Sequence, residues 1–354
     1  MAPRGRPLYE DRDARISILA AATAPTCRIR LCRLITLSHY RRLQPGRAIR
    51  FRARRLRSAP DRRIVPEMQL FLLSTFVMTM FAANSLLNRL ALAEGAIGAG
   101  EFALLRLVAG AAMLAALVLT RDRGAGAALL RAARPWGVAS LTLYMLGFSY
   151  AYLTLDAGLG ALILFGGVQI VMFAGAVRVG EGLRARRVGG AVVAFAGLVW
   201  LLSPAGVAPA PLGAALMLAA ALGWGVYSLL GAGARDPLAA TAGNFLYAVP
   251  LALLVVGPAL LAAGGGAHVT ASGIVLALVS GAVTSGLGYA LWYAVLPRLP
   301  ASAAGVAQLT VPVIAMAGGA VFLGEVPTGE AIIAAAVVLG GVAASLAPPR
   351  RAAG

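Results

Sequence analysis

The sequence lacks lysine altogether and has little of the side-chain chemistry on which most enzymes depend. All 31 basic residues among the 354 are arginine, and both cysteines, Cys27 and Cys32, lie near the N-terminus. His268 is the single histidine after residue 67. The rest of the chain therefore has neither a cysteine framework nor a histidine cluster for a metal. A Walker-type phosphate loop is also absent from the sequence. We predict no enzymatic activity, no cofactor and no metal site.

Charge is scarce and unevenly placed. Charged residues make up 12% of the chain and hydrophobic residues 60%, with a mean hydropathy of +0.84. A soluble domain carries about twice that charged fraction, so the predicted solvent of this chain is a lipid bilayer. Of the 31 arginines, 17 lie in Met1–Glu67. The net charge of +18 thus belongs mostly to one end and does not predict a nucleic-acid partner.

Residues 1–67 have no sustained apolar periodicity. The segment is either a targeting peptide, a basic arm that contacts anionic lipid or nucleic acid, or upstream sequence translated from an early start codon. The third explanation is favoured because Met68 opens directly onto an apolar run, where a membrane helix should begin. We expect 1–67 to be a disordered or non-native extension.

After Met68, apolar stretches of membrane-spanning length alternate with short polar loops. A hydrocarbon core of about 30 Å takes about 20 helical residues. The predicted fold is an all-α polytopic membrane protein, and a proline-rich linker divides its spans into two five-helix repeats, 68–203 and 211–347. The ten predicted transmembrane helices are 70–91, 101–120, 135–154, 158–178, 187–203, 211–231, 239–261, 273–295, 301–322 and 330–347.

Arginine-rich loops alternate with loops that carry acids, which fixes a predicted orientation. Basic loops are retained in the cytoplasm, so both termini are expected on the cytoplasmic side of a bacterial cytoplasmic (inner) membrane. Five spans per repeat is an odd number, so the two repeats are expected to be inverted. Transporters use inverted repeats for alternating access. The repeats also share a Gly-Glu turn before the last helix, at Val179–Glu181 and at Leu323–Glu325.

Several motifs carry a resemblance to a known family. They are Phe81–Arg89, Phe102–Leu107, Trp224–Tyr227, Leu309–Pro312 and Phe322–Glu325. With the two-repeat layout, the chain resembles the drug/metabolite transporter superfamily, and within it the EamA-type permeases, over roughly Gln69 to Leu346.

The sequence departs from that family's pattern at two places. Phe81 stands where the family often has Trp, and Val168-Gln169 stands where a proline is usual. The resemblance implies a secondary transporter of a small metabolite without specifying which one.

The embedded charges favour one substrate class. No Asp or Glu falls clearly mid-membrane, whereas arginine does, so cationic drugs are disfavoured. We predict a small anionic or zwitterionic substrate, such as an amino acid. The alternative is a non-transporting membrane scaffold or sensor, which would lack a continuous polar path. The oligomeric state is left open.

Arg106 is the leading binding candidate. It lies about five residues, or ~7 Å, inside helix 2, and a charge at membrane depth normally faces a cavity or a partner. Its guanidinium would receive a carboxylate or phosphate bidentately. The alternatives are an ion pair with Glu101 or Glu94, or a side chain that snorkels to the surface. Arg89 is expected to snorkel.

Other polar and aromatic side chains fall within the spans. Each would line a substrate path or, alternatively, bond a neighbouring helix or anchor at the interface. Tyr152 and Trp200 are expected to be interface anchors, and Pro250 and Pro312 to be hinges or static kinks. The remaining substrate-binding candidates are Asn84, Asn88, Tyr144, Gln169, Trp224, Tyr227, Asn244, Tyr289 and Gln308.

Overall fold

A computed structural model describes residues 67–178, 185–202, 209–231, 234–262, 269–299 and 307–346. The predicted N-terminal extension, most of the proline-rich linker and the first Gly-Glu turn, Gly180-Glu181, lie outside the described residues. Within the described ranges the chain forms helices and no strand. These helices are α1 Glu67–Ala93, α2 Ala99–Arg121, α3 Gly126–Ala132, α4 Pro135–Ala151, α5 Ala157–Arg178, α6 Ala185–Leu202, α7 Pro211–Gly231, α8 Pro237–Ala262, α9 Ala271–Val295, α10 Thr310–Phe322 and α11 Gly329–Leu346.

Six of these helices are long and apolar enough to cross a membrane: α1, α2, α5, α7, α8 and α9. Shorter apolar helices form most of α6, α10 and α11, and α4 has 17 residues. The chain is therefore a multi-pass membrane protein. The predicted spans match helices to within three residues at each end, except that 301–322 is an uninterrupted helix only from Thr310. The short helix α3 lies in a stretch predicted to be a loop.

Helix α9 departs from regular α-helical geometry in its middle. Ser280–Leu287 forms a π-helical segment, a wider turn that often occurs at functional sites. At Gly281 this segment lies directly against α2, because a Cβ there would come within 2.3 Å of the Arg106 carbonyl oxygen. The wide turn and the glycine together bring the hydroxyl side chains of α9 beside the arginine of α2.

Glycines set how closely α6 and α11 pack. A Cβ at Gly341 would lie 2.5 Å from the backbone nitrogen of Ala194 and 2.8 Å from the carbonyl oxygen of Gly190. A Cβ at Gly189 or at Gly340 would meet nothing within 4 Å. Gly189 and Gly340 are exposed and face away from the neighbouring helix.

The adjacent pair Gly340 and Gly341 gives a stability prediction. We expect Gly341→Ala to destabilise the protein by about 1–3 kcal/mol, because the new methyl group meets backbone rather than a movable side chain. Gly340→Ala should be neutral or stabilising by up to about 1 kcal/mol, because alanine favours helix. Thermal midpoints in detergent, measured by fluorescence-detected size-exclusion chromatography, check both. Equal midpoints for the two variants would contradict the packing.

Candidate functional site

Arg106 lies at the centre of the bundle with none of its surface exposed. Its Nε donates a hydrogen bond to Ser285 Oγ at 3.0 Å, and its Nη2 donates to Tyr144 Oη at 3.1 Å. The guanidinium carbon lies 4.9 Å from the ring centre of Phe148 and 5.5 Å from that of Tyr144. Two neutral oxygens and two aromatic faces therefore surround this cation.

The third nitrogen of this guanidinium, Nη1, is buried and has no hydrogen-bond partner. Among the described residues, Arg89 forms ion pairs with Asp156 and Glu325, and Arg121 forms one with Asp236. Arg106 thus pairs with no described carboxylate, so neither an ion pair with Glu101 or Glu94 nor a snorkelling side chain describes it. One of its guanidinium nitrogens is left without a hydrogen-bond partner.

Asn84 of α1 holds the π-helical segment of α9 in place. Its Oδ1 accepts hydrogen bonds from Ser280 Oγ at 2.9 Å, from Thr284 Oγ1, and from Ser285 Oγ at 3.4 Å. Its Nδ2 donates to the Thr284 carbonyl at 3.3 Å. Because Ser285 also accepts from Arg106, a continuous set of hydrogen bonds joins α1, α9 and α2.

One turn further along α1, Asn88 makes a smaller set of contacts. It accepts a hydrogen bond from Ser149 Oγ of α4 at 2.9 Å and donates to the Asn84 carbonyl at 3.0 Å. Asn88 is fully buried and joins α1 to α4. Its hydrogen bonds support the position of Asn84.

A cluster of aromatic rings closes the space beside Tyr144. Trp224 of α7 is central, with ring centres 5.0 Å from Tyr144, 4.9 Å from Tyr289 and 6.4 Å from Phe81. These rings and Asn84 line a cavity of about 10 Å³, which is the size of a single water site. Arg106 does not line it directly but bonds Tyr144, which does. In this conformation the centre has no room for anything larger than a water molecule.

Comparisons with known proteins agree with this architecture. Residues 211–347 match the model of the EamA-like transporter family. An uncharacterized protein of Pseudomonas aeruginosa is 46% identical over 285 residues, which cover 80% of this chain and 96% of that protein. The chain belongs to the EamA-like transporter family.

A solved crystal structure shares the fold of this EamA-like transporter. It superposes with a TM-score of 0.57 at 22% identity, over 79% of this chain and 98% of that chain. The match to the family model confirms the resemblance inferred from the sequence motifs. Members of this family are membrane transporters.

Arg89 of α1 is held by ion pairs and a hydrogen bond to other parts of the chain. Its Nε donates to Glu325 Oε1 at 2.6 Å, its Nη1 donates to the Tyr152 carbonyl at 3.2 Å, and its Nη2 reaches Asp156 at 3.5 Å. Glu325 also accepts from the backbone nitrogen of Ala157, the first residue of α5, at 2.7 Å. The expectation that Arg89 snorkels is wrong, because two carboxylates hold it.

A second ion pair joins the last residue of α2 to the residue that directly precedes α8. Arg121 pairs with Asp236, and its hydrogen bond lowers the pKa of the Asp236 carboxyl. Both side chains are more than a third exposed, so solvent weakens this pair and it contributes little to stability.

The other sequence candidates are spread around this centre. Tyr227 and Asn244 are buried, and Gln169 and Gln308 are half-buried. None of these four residues lines the central cavity. Tyr152 is fully buried against Phe148, with ring centres 4.8 Å apart, so its assignment as an interface anchor is wrong.

The two candidate hinge prolines occupy different positions in their helices. Pro250 lies inside the continuous helix α8. Pro312 lies in the first turn of α10, after an interruption at Leu309.

Sequence reasoning missed the hydroxyl side chains of α9. Ser280, Thr284 and Ser285 are all buried and point to Asn84 or Arg106. The available signal was the four-residue spacing of Ser280 and Thr284, which places two hydroxyls on one side of an α-helix, whereas Ser285 falls on a different side of a regular α-helix. Serine and threonine are common in membrane helices, and the spacing alone does not say which partner they bind.

Removing the amide of Asn84 should destabilise the transporter. We expect Asn84→Ala to cost about 1–3 kcal/mol, because it leaves the buried Ser280 hydroxyl without its acceptor. Thr79→Ala on the same helix is the control, since that exposed hydroxyl bonds only the Thr75 carbonyl one turn away. The thermal midpoint in detergent should fall for the first variant and not for the second. The same midpoint for both would mean that Asn84 does not hold α9.

Proposed function

We propose that the protein is a secondary transporter of a small anionic or zwitterionic metabolite, such as an amino acid, and that it works by alternating access. The observation that carries this proposal is the guanidinium of Arg106. A buried cation with no carboxylate partner and one guanidinium nitrogen without a hydrogen bond is expensive to keep in an apolar bundle. A substrate carboxylate or other oxyanion would complete its hydrogen bonding.

The proposed topology has ten membrane crossings, formed by α1, α2 and α4–α11. Arginines between α2 and α4 belong to the cytoplasmic side, together with both termini, in the inner membrane of a bacterium. Glu94, Asp156 and Glu325 then lie toward the outer side. The two repeats, 68–203 and 211–347, are inverted in this topology, and the substrate lies between them.

The contacts of the described residues support roles for the candidates. The central cavity is lined by Asn84, Tyr144, Trp224 and Tyr289, among others. In this proposal these side chains contact the substrate once the cavity expands. Asn88 keeps Asn84 in position. We assign four of the remaining candidates to the route through the bundle: Gln169, Tyr227, Asn244 and Gln308. The two prolines, Pro250 and Pro312, are assigned to its bends.

Alternating access gives the Arg89 network a role. In the proposed orientation, Arg89 and Glu325 close the outer side, while the aromatic cluster blocks the centre. Substrate release to the outside requires Arg89 to part from Glu325 and Asp156. A non-transporting scaffold or sensor is the alternative, and it is compatible with a central cavity that holds a single water.

Replacement of Arg106 by methionine tests the proposal. Ser285 and Tyr144 each keep another hydrogen-bond partner, Asn84 and Tyr289, so Arg106→Met should fold with an unchanged or higher thermal midpoint. Loss of a hydrogen bond to a charged group, worth about 1.5–3 kcal/mol, predicts a roughly 10- to 100-fold loss of transport. Efflux of labelled amino acids and small organic acids from cells that produce the full chain measures it.

Arg89→Met is the matched control for that experiment. It leaves Glu325 and Asp156 without their cation, so its thermal midpoint should fall, whereas that of Arg106→Met should not. Normal efflux by a well-folded Arg106→Met protein would contradict the assigned role. No efflux of any compound with the unaltered chain would favour the scaffold or sensor.

The role of Arg89 predicts a change in accessibility. Ser85 is buried and lines the central cavity, so a cysteine there should react slowly with a membrane-impermeant maleimide added outside intact cells. In a full chain with Cys27 and Cys32 replaced by serine, Arg89→Gln should speed labelling of Ser85→Cys at least roughly tenfold, as expected when a charge-assisted hydrogen bond is lost. Arg121→Gln, near the opposite end, should leave the labelling rate unchanged. Equal acceleration by both substitutions, or by neither, would contradict the proposed outer closure.

A further inference from the structure

Two buried polar atoms of the described residues have no hydrogen-bond partner. They are Nη1 of Arg106 on α2 and Oη of Tyr227 on α7. Both side chains are almost completely buried, with 0% and 3% of the residue exposed. Buried polar groups in folded proteins are nearly always hydrogen-bonded, so each exception needs an explanation.

The two unpaired atoms belong to one aromatic layer. Trp224 packs on Tyr144 at 5.0 Å between ring centres, and Tyr144 accepts a hydrogen bond from Arg106. Trp224 also stacks on Tyr227 at 5.7 Å with an angle of 27° between the planes. Trp224 therefore contacts both the ring that bonds Arg106 and the ring that carries the unpaired hydroxyl.

The surroundings of Tyr227 are polar and uncharged. Its hydroxyl faces Thr241 and Asn244 of α8 but makes no well-formed hydrogen bond with either. The Asn244 amide oxygen already accepts from the backbone nitrogen of Arg134 at 3.0 Å. Since its nearest polar neighbours are neutral, the Tyr227 end favours a neutral hydrogen-bonding group over a second charge.

We propose that the substrate has two polar ends, a carboxylate or similar oxyanion that Arg106 binds and a neutral hydrogen-bonding group that Tyr227 binds. The apolar body between these ends would pack on the face of Trp224. This inference rests on the proposed function and narrows its substrate class. It also assigns Tyr227 as a specificity-determining residue, because phenylalanine would fill the same space without leaving an unpaired hydroxyl.

Paired acids that differ by one distal hydroxyl group test the inference. The probes are phenylacetate with 4-hydroxyphenylacetate, and butanoate with 4-hydroxybutanoate. Equilibrium binding to the purified full chain is measured by calorimetry for the unaltered protein and for Tyr227→Phe, Arg106→Met and Tyr247→Phe. Tyr247 is the matched control, since 45% of it is exposed on α8.

In at least one pair, the unaltered protein should bind the hydroxylated acid at least roughly tenfold more tightly, as sites built to bond a hydroxyl do. Tyr227→Phe should bring the ratio of the two affinities to about one by weakening the binding of the hydroxylated acid alone. Arg106→Met should weaken the binding of both acids, and Tyr247→Phe should leave both affinities unchanged. A ratio that survives Tyr227→Phe, or no binding of any of the four acids, would overturn the inference.

Transport of the same acids separates this inference from the proposed function. Binding with the expected ratio but without movement across a proteoliposome membrane would refute the transporter and keep the two-ended site. Transport of the acids with an affinity ratio that Tyr227→Phe does not change would support the transporter and refute the two-ended site.

Discussion

The arrangement of the centre depends on keeping one guanidinium inside an apolar bundle. Even the scales that give the lowest values assign a free-energy cost of about 2.5–3.5 kcal/mol to inserting an arginine in the middle of a membrane helix. Arg106 meets this cost with two hydroxyl acceptors and two ring faces rather than with a carboxylate. Of the two hydroxyls, Tyr144 comes from α4, and Ser285 depends on the wide π-helical turn of α9, the close approach of α9 to α2 at Gly281, and its hydrogen bond to Asn84.

The two arginines that lie deepest in the described bundle differ in a way that separates their roles. Arg89 is held by two carboxylates and a carbonyl, so it has full hydrogen bonding and joins α1 to the start of α5 and the end of α10. Arg106 has no such partner, and one of its guanidinium nitrogens is left without a hydrogen bond. In the proposed mechanism, the paired cation stabilises the closed arrangement, and the unpaired one receives the substrate anion. The same chemical group would then serve for closure in one place and for recognition in another.

Much of the fold follows from the sequence because lipid imposes a simple rule on it. Apolar stretches had to be helical to satisfy their backbone groups, so the helix bounds were predicted to within a few residues. Arg106 stood out for a similar reason, as a charge inside such a stretch. The partners were not predictable, since Ser285 lies 179 positions away and Glu325 lies 236 positions from Arg89. Arg89 was misassigned because nothing local reveals a distant carboxylate, and Tyr152 because a tyrosine near a span end is usually an interface anchor.

The aromatic cluster closes the centre in this conformation. Its rings leave space for one water, so the proposed substrate site would form in full only after Trp224 and its neighbours move. The test of this account is therefore a measurement of exchange rather than of structure. Proteoliposomes that contain the full chain would be loaded with an unlabelled acid and diluted into a trace of the same acid carrying a label. A carrier that alternates between two sides predicts transient accumulation of label above its equilibrium level, and predicts that Arg106→Met abolishes it. Accumulation no greater than in protein-free liposomes, for every acid that binds the purified protein, would contradict the account.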